Sequence, residues 1–197
     1  MIKDNEYILN NKYIIISVIG SHAGESEKKI FERKILDIQR IGKTFWLIRS
    51  HQAKPQMVHG LIKDAQSKDK EVYAIFIEPS SPGGATPTKT SDSANYYSKD
   101  RIDWRKLPDG LSPVTGKIDN GAYALVFDKL NFEEDYLDLW NYTCFFKQDQ
   151  PIRILQGAST LCAIKKSTAN KENKIKSHIR KIVAVGKICE PGCVWLK

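Results

Sequence analysis

Two Ser-His pairs each follow an apolar segment that is typical of a buried β-strand. Ser21-His22 comes after Tyr13–Ile19, and Ser50-His51 comes after the segment Phe45–Ile48. Histidine exchanges protons near neutral pH, and a serine hydroxyl can bind a phosphate or act as a nucleophile. Ligands of open parallel sheets bind outside the carboxyl ends of the strands. The two pairs therefore predict a site at one edge of a sheet.

A third apolar segment, Val72–Ile77, ends at Glu78, and this acid completes the predicted catalytic set. In this hypothesis His22 or His51 is the acid or base, while Glu78 orients one of them or serves as a second base. A hydrolase or transferase acting on a phosphorylated or nucleotide substrate would use such groups. Because serine and histidine at strand ends also cap the following helix, capping is the alternative interpretation.

The turn after the first strand has features that suit an anion. Gly20 and Gly24 let backbone amides approach a ligand closely, and the turn leads into the N-terminus of a predicted helix. Arg49 and Lys54 can add charge-assisted contacts. The turn lacks the P-loop and dinucleotide-binding signatures, so it assigns no cofactor, and no metal-ligand pattern accompanies it. The predicted substrate-binding residues are Gly20, Ser21, Gly24, Arg49, Ser50 and Lys54.

Positive charge is concentrated in one segment. The chain has a formal net charge of +8, and residues 165–187 hold eight basic residues against one acid, Glu172. A local excess of positive charge attracts polyanions such as nucleic acid. The segment contains no aromatic residue for base stacking, so it predicts phosphate contacts only, and a solvated basic loop is the alternative. The predicted nucleic-acid contacts are Lys174, Lys176, Arg180 and Lys181.

The composition is that of a globular protein, with 41% hydrophobic and 27% charged residues among 197. No apolar run reaches the length of a membrane span, and the first residues are too polar for a signal peptide. We therefore expect a cytoplasmic protein with no membrane partner; nothing indicates its oligomeric state. Cysteines in this compartment stay reduced, and we expect no disulfide or zinc site among Cys144, Cys162, Cys189 and Cys193.

The first half, residues 1–78, is predicted to be a β-α-β-α-β unit with a parallel sheet. Apolar residues at three- and four-residue spacing begin at Phe31, and the helix that they predict ends at Gly42. Pro55 suits the first turn of a second helix. Right-handed crossovers through these helices would place the three strands side by side in parallel.

The remaining chain is predicted to be a long flap followed by a β-rich half. Residues 79–122, the flap segment, either cover the strand edge or pack their aromatic residues on the core. Residues 123–197 predict mostly antiparallel strands and a short helix at Phe132–Trp140. The fold class is α/β, with residues 1–197 forming a single compact domain. The predicted strands are Tyr123–Phe127, Ile152–Leu155, Leu161–Ile164, Ile182–Val185 and Cys193–Leu196.

The segment Phe45–Ser50, with the sequence FWLIRS, resembles the opening strand of the PUA-like modified-base readers of the EVE and YTH families. In those proteins an aromatic-rich strand ends in Lys-Ser or Arg-Ser before a helix, whereas the preceding unit 13–41 has no place in that pattern. The resemblance implies a reader that binds a modified base in an aromatic cage, with Tyr96, Tyr97, Trp104 or Trp140 as walls. This reader is the alternative to a nucleotide- or nucleic-acid-phosphate-binding protein, and a protein-interaction module is the third hypothesis.

Overall fold

The computed structural model describes residues 11–19, 25–48, 50, 52–79, 92–119, 121–152, 160–165 and 179–197. Within these ranges the helices are α1 (Glu27–Ile41) and α2 (Pro55–Gln66), and neither is long and apolar enough to cross a membrane. The strands are β1 (Tyr13–Val18), β2 (Thr44–Ile48), β3 (Tyr73–Ile77), β4 (Asp92–Ser93), β5 (Tyr96–Ser98), β6 (Arg105–Lys106), β7 (Thr115–Gly116), β8 (Tyr123–Phe132), β9 (Tyr136–Asp138), β10 (Tyr142–Cys144), β11 (Lys147–Pro151), β12 (Thr160–Lys165) and β13 (Ile179–Leu196).

Local sequence signals place both helices. The Ser26 hydroxyl accepts a hydrogen bond from the Lys29 N–H at 3.4 Å and caps the start of α1. Gly42 ends α1 in the left-handed conformation, and its N–H donates to the carbonyl of Ile38 at 2.8 Å. Pro55 is the first residue of α2, as predicted. The helix faces that carry Phe31 in α1 and Val58, Leu61 and Ala65 in α2 are buried.

The sheet is mixed. β1 and β3 are parallel, while β1 and β12, β3 and β13, and β8 and β13 pair antiparallel. The path through the strands is β2-β8-β13-β3-β1-β12-β10-β11. This arrangement confirms the α/β class, with a parallel pair in the first half and a mostly antiparallel second half.

The predicted position of β2 in the sheet is wrong. β2 does not lie beside β1 and β3 but pairs antiparallel with β8, with Thr44 opposite Phe127 and Ile48 opposite Tyr123. β8 and β13 therefore separate β2 from β3 along the sheet. The three strands of the first half are therefore not the adjacent parallel neighbours that the sequence predicts.

The sheet closes on itself near Ser50. The segment after β2 makes a parallel bridge between Gln52 and Leu161 of β12, and the Cys162 N–H donates to the Gln52 carbonyl at 3.2 Å. The path from β2 through β8, β13, β3 and β1 to β12 thus returns to its start as a barrel. One buried cluster joins alternate side chains of these strands to both helices; its members include Tyr13, Ile15, Phe31, Ile48, Val58, Leu61, Phe76, Tyr123, Leu125, Phe127, Cys162, Cys193 and Trp195.

The second half contains more strand than predicted. The expected helix at Phe132–Trp140 is wrong, because β8 continues to Phe132 and β9 follows, ending in a 3-10 turn at Leu139–Asn141. Both β8 and β9 pair with β13, which supplies hydrogen bonds that a short helix would otherwise make internally. The other predicted strands fall within β8, β12 and β13, while most of Ile152–Leu155 lies outside the described residues.

Residues 92–119 of the flap segment pack on the outer face of β2 and β8. Ala94 and Val114 are buried there with Phe45, and the ring of Tyr97 lies 5.3 Å from that of Phe45. β5 pairs with the end of β13, with Ser98 opposite Trp195. The segment therefore brings exposed residues of β5 and β6 to the end of β13.

Candidate functional site

Only part of the predicted site lies within the described residues. Ser50, Lys54, Glu78, Arg180 and Lys181 are described. The rest lie outside the described residues: Gly20, Ser21, His22, Gly24, Arg49, His51, Lys174 and Lys176.

Ser50 closes the barrel. Its hydroxyl donates to the Thr160 carbonyl and accepts a hydrogen bond from the Gln52 N–H at 3.1 Å. Its N–H donates to the Tyr123 hydroxyl at 2.9 Å, and that hydroxyl donates to the Ser50 carbonyl. The Thr160 hydroxyl shares a hydrogen bond of 2.8 Å with the buried hydroxyl of Ser17. The polar groups of Ser50 thus serve the closure of the sheet.

Glu78 and Lys181 come from different predicted sets, and the structure brings them together. The Glu78 N–H donates to the Lys181 carbonyl at 3.0 Å, and Lys181 Nζ lies 3.4 Å from Glu78 Oε1. Burial, together with the negative charge of Glu78, raises the pKa of Glu27 at the start of α1. The Glu78 carboxylate therefore has an ion-pair partner and a second carboxyl group nearby.

The described basic residues of β13 lie in a mixed-charge region. Arg180 pairs with Leu137 and Lys181 with Tyr136 across the β9–β13 ladder. The chain just before β9 contributes three consecutive acids, residues 133–135. Since opposite charges offset each other locally, these two cations contribute less positive potential than an unaccompanied basic cluster.

Lys54 is exposed and directly precedes α2, where its carbonyl accepts the N–H groups of Met57 and Val58.

A stacked cation lies at the end of β13. The guanidinium of Arg101 lies 3.5 Å from the centre of the Trp195 ring, and Trp195 packs edge-on against Tyr123 with ring centres 5.6 Å apart. Trp195 is buried whereas Arg101 is exposed. A chain of contacts thus runs from Ser50 through Tyr123 and Trp195 to Arg101 at the surface.

A second pair of aromatic rings lies next to this stack. Lys197 Nζ is 4.6 Å from the centre of the Trp104 ring and 5.6 Å from that of Tyr96. Tyr96 is 44% exposed. The Trp104 indole N–H donates to the Arg101 carbonyl at 3.0 Å, which fixes the ring. We name the set formed by Tyr96, Arg101, Trp104, Arg105 and Lys197 the aromatic–cation surface.

The turn that carries Arg101 is held by side-chain caps. The Ser98 hydroxyl accepts the Arg101 N–H at 2.9 Å and donates to Asp100 Oδ1 at the same distance. Asp100 Oδ1 also accepts the N–H groups of Ile102 and Asp103 at 2.8 and 3.0 Å. These backbone hydrogen bonds hold the pKa of Asp100 below its ordinary value. The guanidinium is therefore presented from an ordered turn.

A buried charge pair lies between α1 and the flap segment. Asp37 is fully buried and accepts hydrogen bonds from the Thr44 hydroxyl at 2.8 Å and from the Ser112 N–H and hydroxyl at 2.8 and 2.6 Å. Lys34 Nζ lies 3.7 Å from Asp37 and is buried without a hydrogen-bond partner among the described residues. Burial lowers the pKa of Lys34 to about 8, although the charge of Asp37 opposes this shift.

The four cysteines are free thiols. Burial raises the pKa of Cys162 and of Cys193, and it raises the pKa of the half-buried Cys189 to about 11. Thiols with raised pKa values are poor nucleophiles and poor metal ligands at neutral pH. Among the residues that the structure describes, no group of His, Cys, Asp or Glu is arranged to hold a metal ion.

Sequence reasoning missed Arg101, Trp195 and Lys197. A local signal was present, because Arg101, Trp104 and Arg105 alternate cation and ring within a few residues. The contacts of Trp195 and Lys197 with this segment depend on the pairing of β13 with β5, which joins distant parts of the chain.

Comparisons with protein-family models, with curated proteins and with solved structures found no match to this chain.

Proposed function

We propose that this protein binds single-stranded nucleic acid through the aromatic–cation surface. The observation that carries the proposal is the position of the Arg101 guanidinium over the Trp195 ring, with Cζ 3.5 Å from the ring centre. Proteins that bind single strands combine cations that contact phosphates with planar groups on which bases stack, and guanidinium planes serve as such groups. An exposed guanidinium fixed on a buried ring can provide both functions.

The neighbouring residues support the same activity. Arg105 is exposed and lies opposite Tyr97 in the β5–β6 ladder. The net charge of +8 adds a long-range attraction for polyanions. Binding would thus combine general attraction by the whole chain with stacking at a defined surface.

The experiment measures the affinity for short single-stranded RNA and DNA by fluorescence anisotropy, between about 50 and 200 mM salt. Arg101→Ala is expected to weaken binding by about fivefold to a hundredfold, the range of one lost stacking contact. Arg101→Lys keeps the charge but loses the planar group, and we expect it to recover only the salt-dependent part. Arg40→Ala, in the exposed last turn of α1, is the matched control.

The alternative phosphate-binding residues are tested in the same assay. A His22→Ala/His51→Ala double variant that loses binding, while Arg101→Ala retains it, would assign the site to the Ser-His turns. Neutralising Lys174, Lys176, Arg180 and Lys181 is expected to reduce the salt dependence. Equal affinities of Arg101→Ala and Arg40→Ala, or no binding at low salt, would refute the proposal.

A further inference from the structure

Tyr96 and Trp104 share one cation. Both ring centres lie within 6 Å of Lys197 Nζ, at 5.6 and 4.6 Å, which is the range of a cation–π contact. We propose that these two rings form a binding site for a methylated ammonium group, and that Lys197 occupies this site until such a group displaces it. This inference concerns a different ligand from nucleic acid and does not depend on Arg101 as a stacking platform.

The two rings are held in place independently of the lysine side chain. Trp104 is fixed by its hydrogen bond to the Arg101 carbonyl, and Tyr96 lies in β5 opposite Lys106. The backbone of Lys197 is also fixed, since its N–H donates to the Tyr96 carbonyl at 3.1 Å and its carbonyl accepts the Tyr96 N–H at 2.9 Å. The movable part is therefore the Lys197 side chain, which is exposed.

A methylated ammonium has the advantage over the lysine that it would replace. A primary ammonium is compact and strongly hydrated, so leaving water opposes much of its attraction to the rings. Methyl groups keep the charge, weaken hydration and add apolar surface against both rings. Ordering the long lysine side chain also costs rotamer entropy, which its release recovers. Both choline and a trimethylated lysine side chain carry this chemistry.

The test follows the indole N–H resonance of Trp104 by NMR during titration with choline. Its neutral isostere dimethylbutanol, which has the same shape without the charge, is the ligand control. We expect saturable shifts with choline and none with the isostere. Lys197→Ala should bind choline about threefold to tenfold more tightly, since it removes the internal competitor. Tyr96→Ala should lose binding, and Tyr136→Ala, at a tyrosine that is 64% exposed, should bind as the wild type does.

Three results would overturn the inference: equal binding of the isostere, no gain in Lys197→Ala, or unchanged affinity in Tyr96→Ala. Trp104→Phe, which keeps a ring, assigns the resonance and should retain weaker binding. Short peptides with trimethylated or unmodified lysine then separate the sources, because tighter binding of the methylated peptide than of choline identifies a protein ligand. The two proposals fail separately: absence of the choline effects named above refutes this one, whereas unchanged nucleic-acid affinity in Arg101→Ala refutes the other.

Discussion

The hydroxyl of Tyr123 is hydrogen-bonded to both backbone polar groups of Ser50, accepting its N–H and donating to its carbonyl. This contact fastens the end of β2 at the point where the barrel closes onto β12. The same ring packs against Trp195, so it also supports the Arg101 stack. One side chain therefore joins the closure of the sheet to the aromatic–cation surface.

Tyr123→Phe tests this closure. We expect the free energy of unfolding to fall by about 1–3 kcal/mol, because the variant removes the hydrogen-bond partner of the Ser50 N–H and leaves the Ser50 carbonyl only the 3.5 Å contact from the Ala53 N–H. Urea denaturation followed by circular dichroism measures the change. Tyr136→Phe, at an exposed tyrosine, should shift stability by less than about 0.5 kcal/mol. Equal stabilities of the two variants would show that the Tyr123 hydroxyl does not fasten β2.

Lys34→Met tests the buried ammonium through pH. The pKa of Lys34 is lowered from 10.5 to about 8 in the fold, so between these values the unfolded chain binds more protons than the folded chain. The free energy of unfolding contributed by Lys34 therefore rises with pH across this window, by about 1.4 kcal/mol for each unit of pKa shift. Below pH 8 Lys34 is charged in the folded chain as well, so the whole cost of burying its charge lowers the free energy of unfolding.

The free energy of unfolding of Lys34→Met minus that of the wild type should consequently fall as the pH rises from 8 to 10.5. Thiols and tyrosines that titrate in the same range are present in both proteins, so their effects cancel in the difference. Lys28→Met, on the exposed side of α1, is the control and should show no such trend. A difference between Lys34→Met and wild type that is constant over this pH range would contradict the assignment.

Gly42→Ala and Gly192→Ala separate backbone strain from crowding. Both glycines have positive φ angles, 76° and 78°, so alanine costs about 1–2 kcal/mol at either position. A Cβ at Gly42 meets nothing within 4 Å, whereas at Gly192 it would overlap Ile62 Cδ1. Because the Ile62 side chain must leave its rotamer to relieve this overlap, we expect Gly192→Ala to lose about 0.5–1.5 kcal/mol more in thermal unfolding. Recovery of part of this loss by adding Ile62→Val would confirm the steric cause; equal losses would exclude it.

Alkylation should divide the thiols by burial. Cys162 and Cys193 are buried and Cys144 and Cys189 half-buried, and the raised pKa of Cys189, about 11, leaves little thiolate at neutral pH. We expect iodoacetamide to label Cys144 and Cys189 slowly in the native protein and Cys162 and Cys193 only after unfolding. Peptide mass spectrometry gives the site-specific rates, with the denatured chain as the reference. Native labelling of Cys193 at the denatured rate would refute its burial.

Local signals were sufficient to predict the helices. Ser26 and Gly42 mark the ends of α1, and Pro55 marks the start of α2, because capping depends on residues within one turn. The position of β2 was not predictable in this way. Its alternation sends Trp46 and Ile48 to one cluster and Phe45 to another, a pattern that suits any neighbour with two buried faces. The pairing with β8 depends on a strand far along the chain.

The residues of the candidate site also fall into two groups, those that the local sequence indicates and those whose contacts depend on strand pairing. Tyr96 and Trp104 could be selected from the sequence because large aromatic side chains are unusual in an otherwise polar segment. Their cationic partners could not all be selected, since Lys197 reaches these rings only through the pairing of β13 with β5. Ser50 was selected for its hydroxyl, yet that hydroxyl bonds to Thr160 from a third part of the chain. Residue types therefore indicate which functional groups are present, whereas the partner of each group depends on which strands pair.

The position of β13 has a consequence for how the chain folds. This strand pairs with β3, β5, β8 and β9, yet it follows all of them in the sequence. A nascent chain that ends before Ile179 leaves β3 and β8 without the strand that joins them, and both expose unpaired edges. Closing such long-range loops precedes the gain from their contacts, which slows folding relative to a fold of local hairpins. Neither the barrel nor the aromatic–cation surface can therefore be complete before β13 has been synthesised.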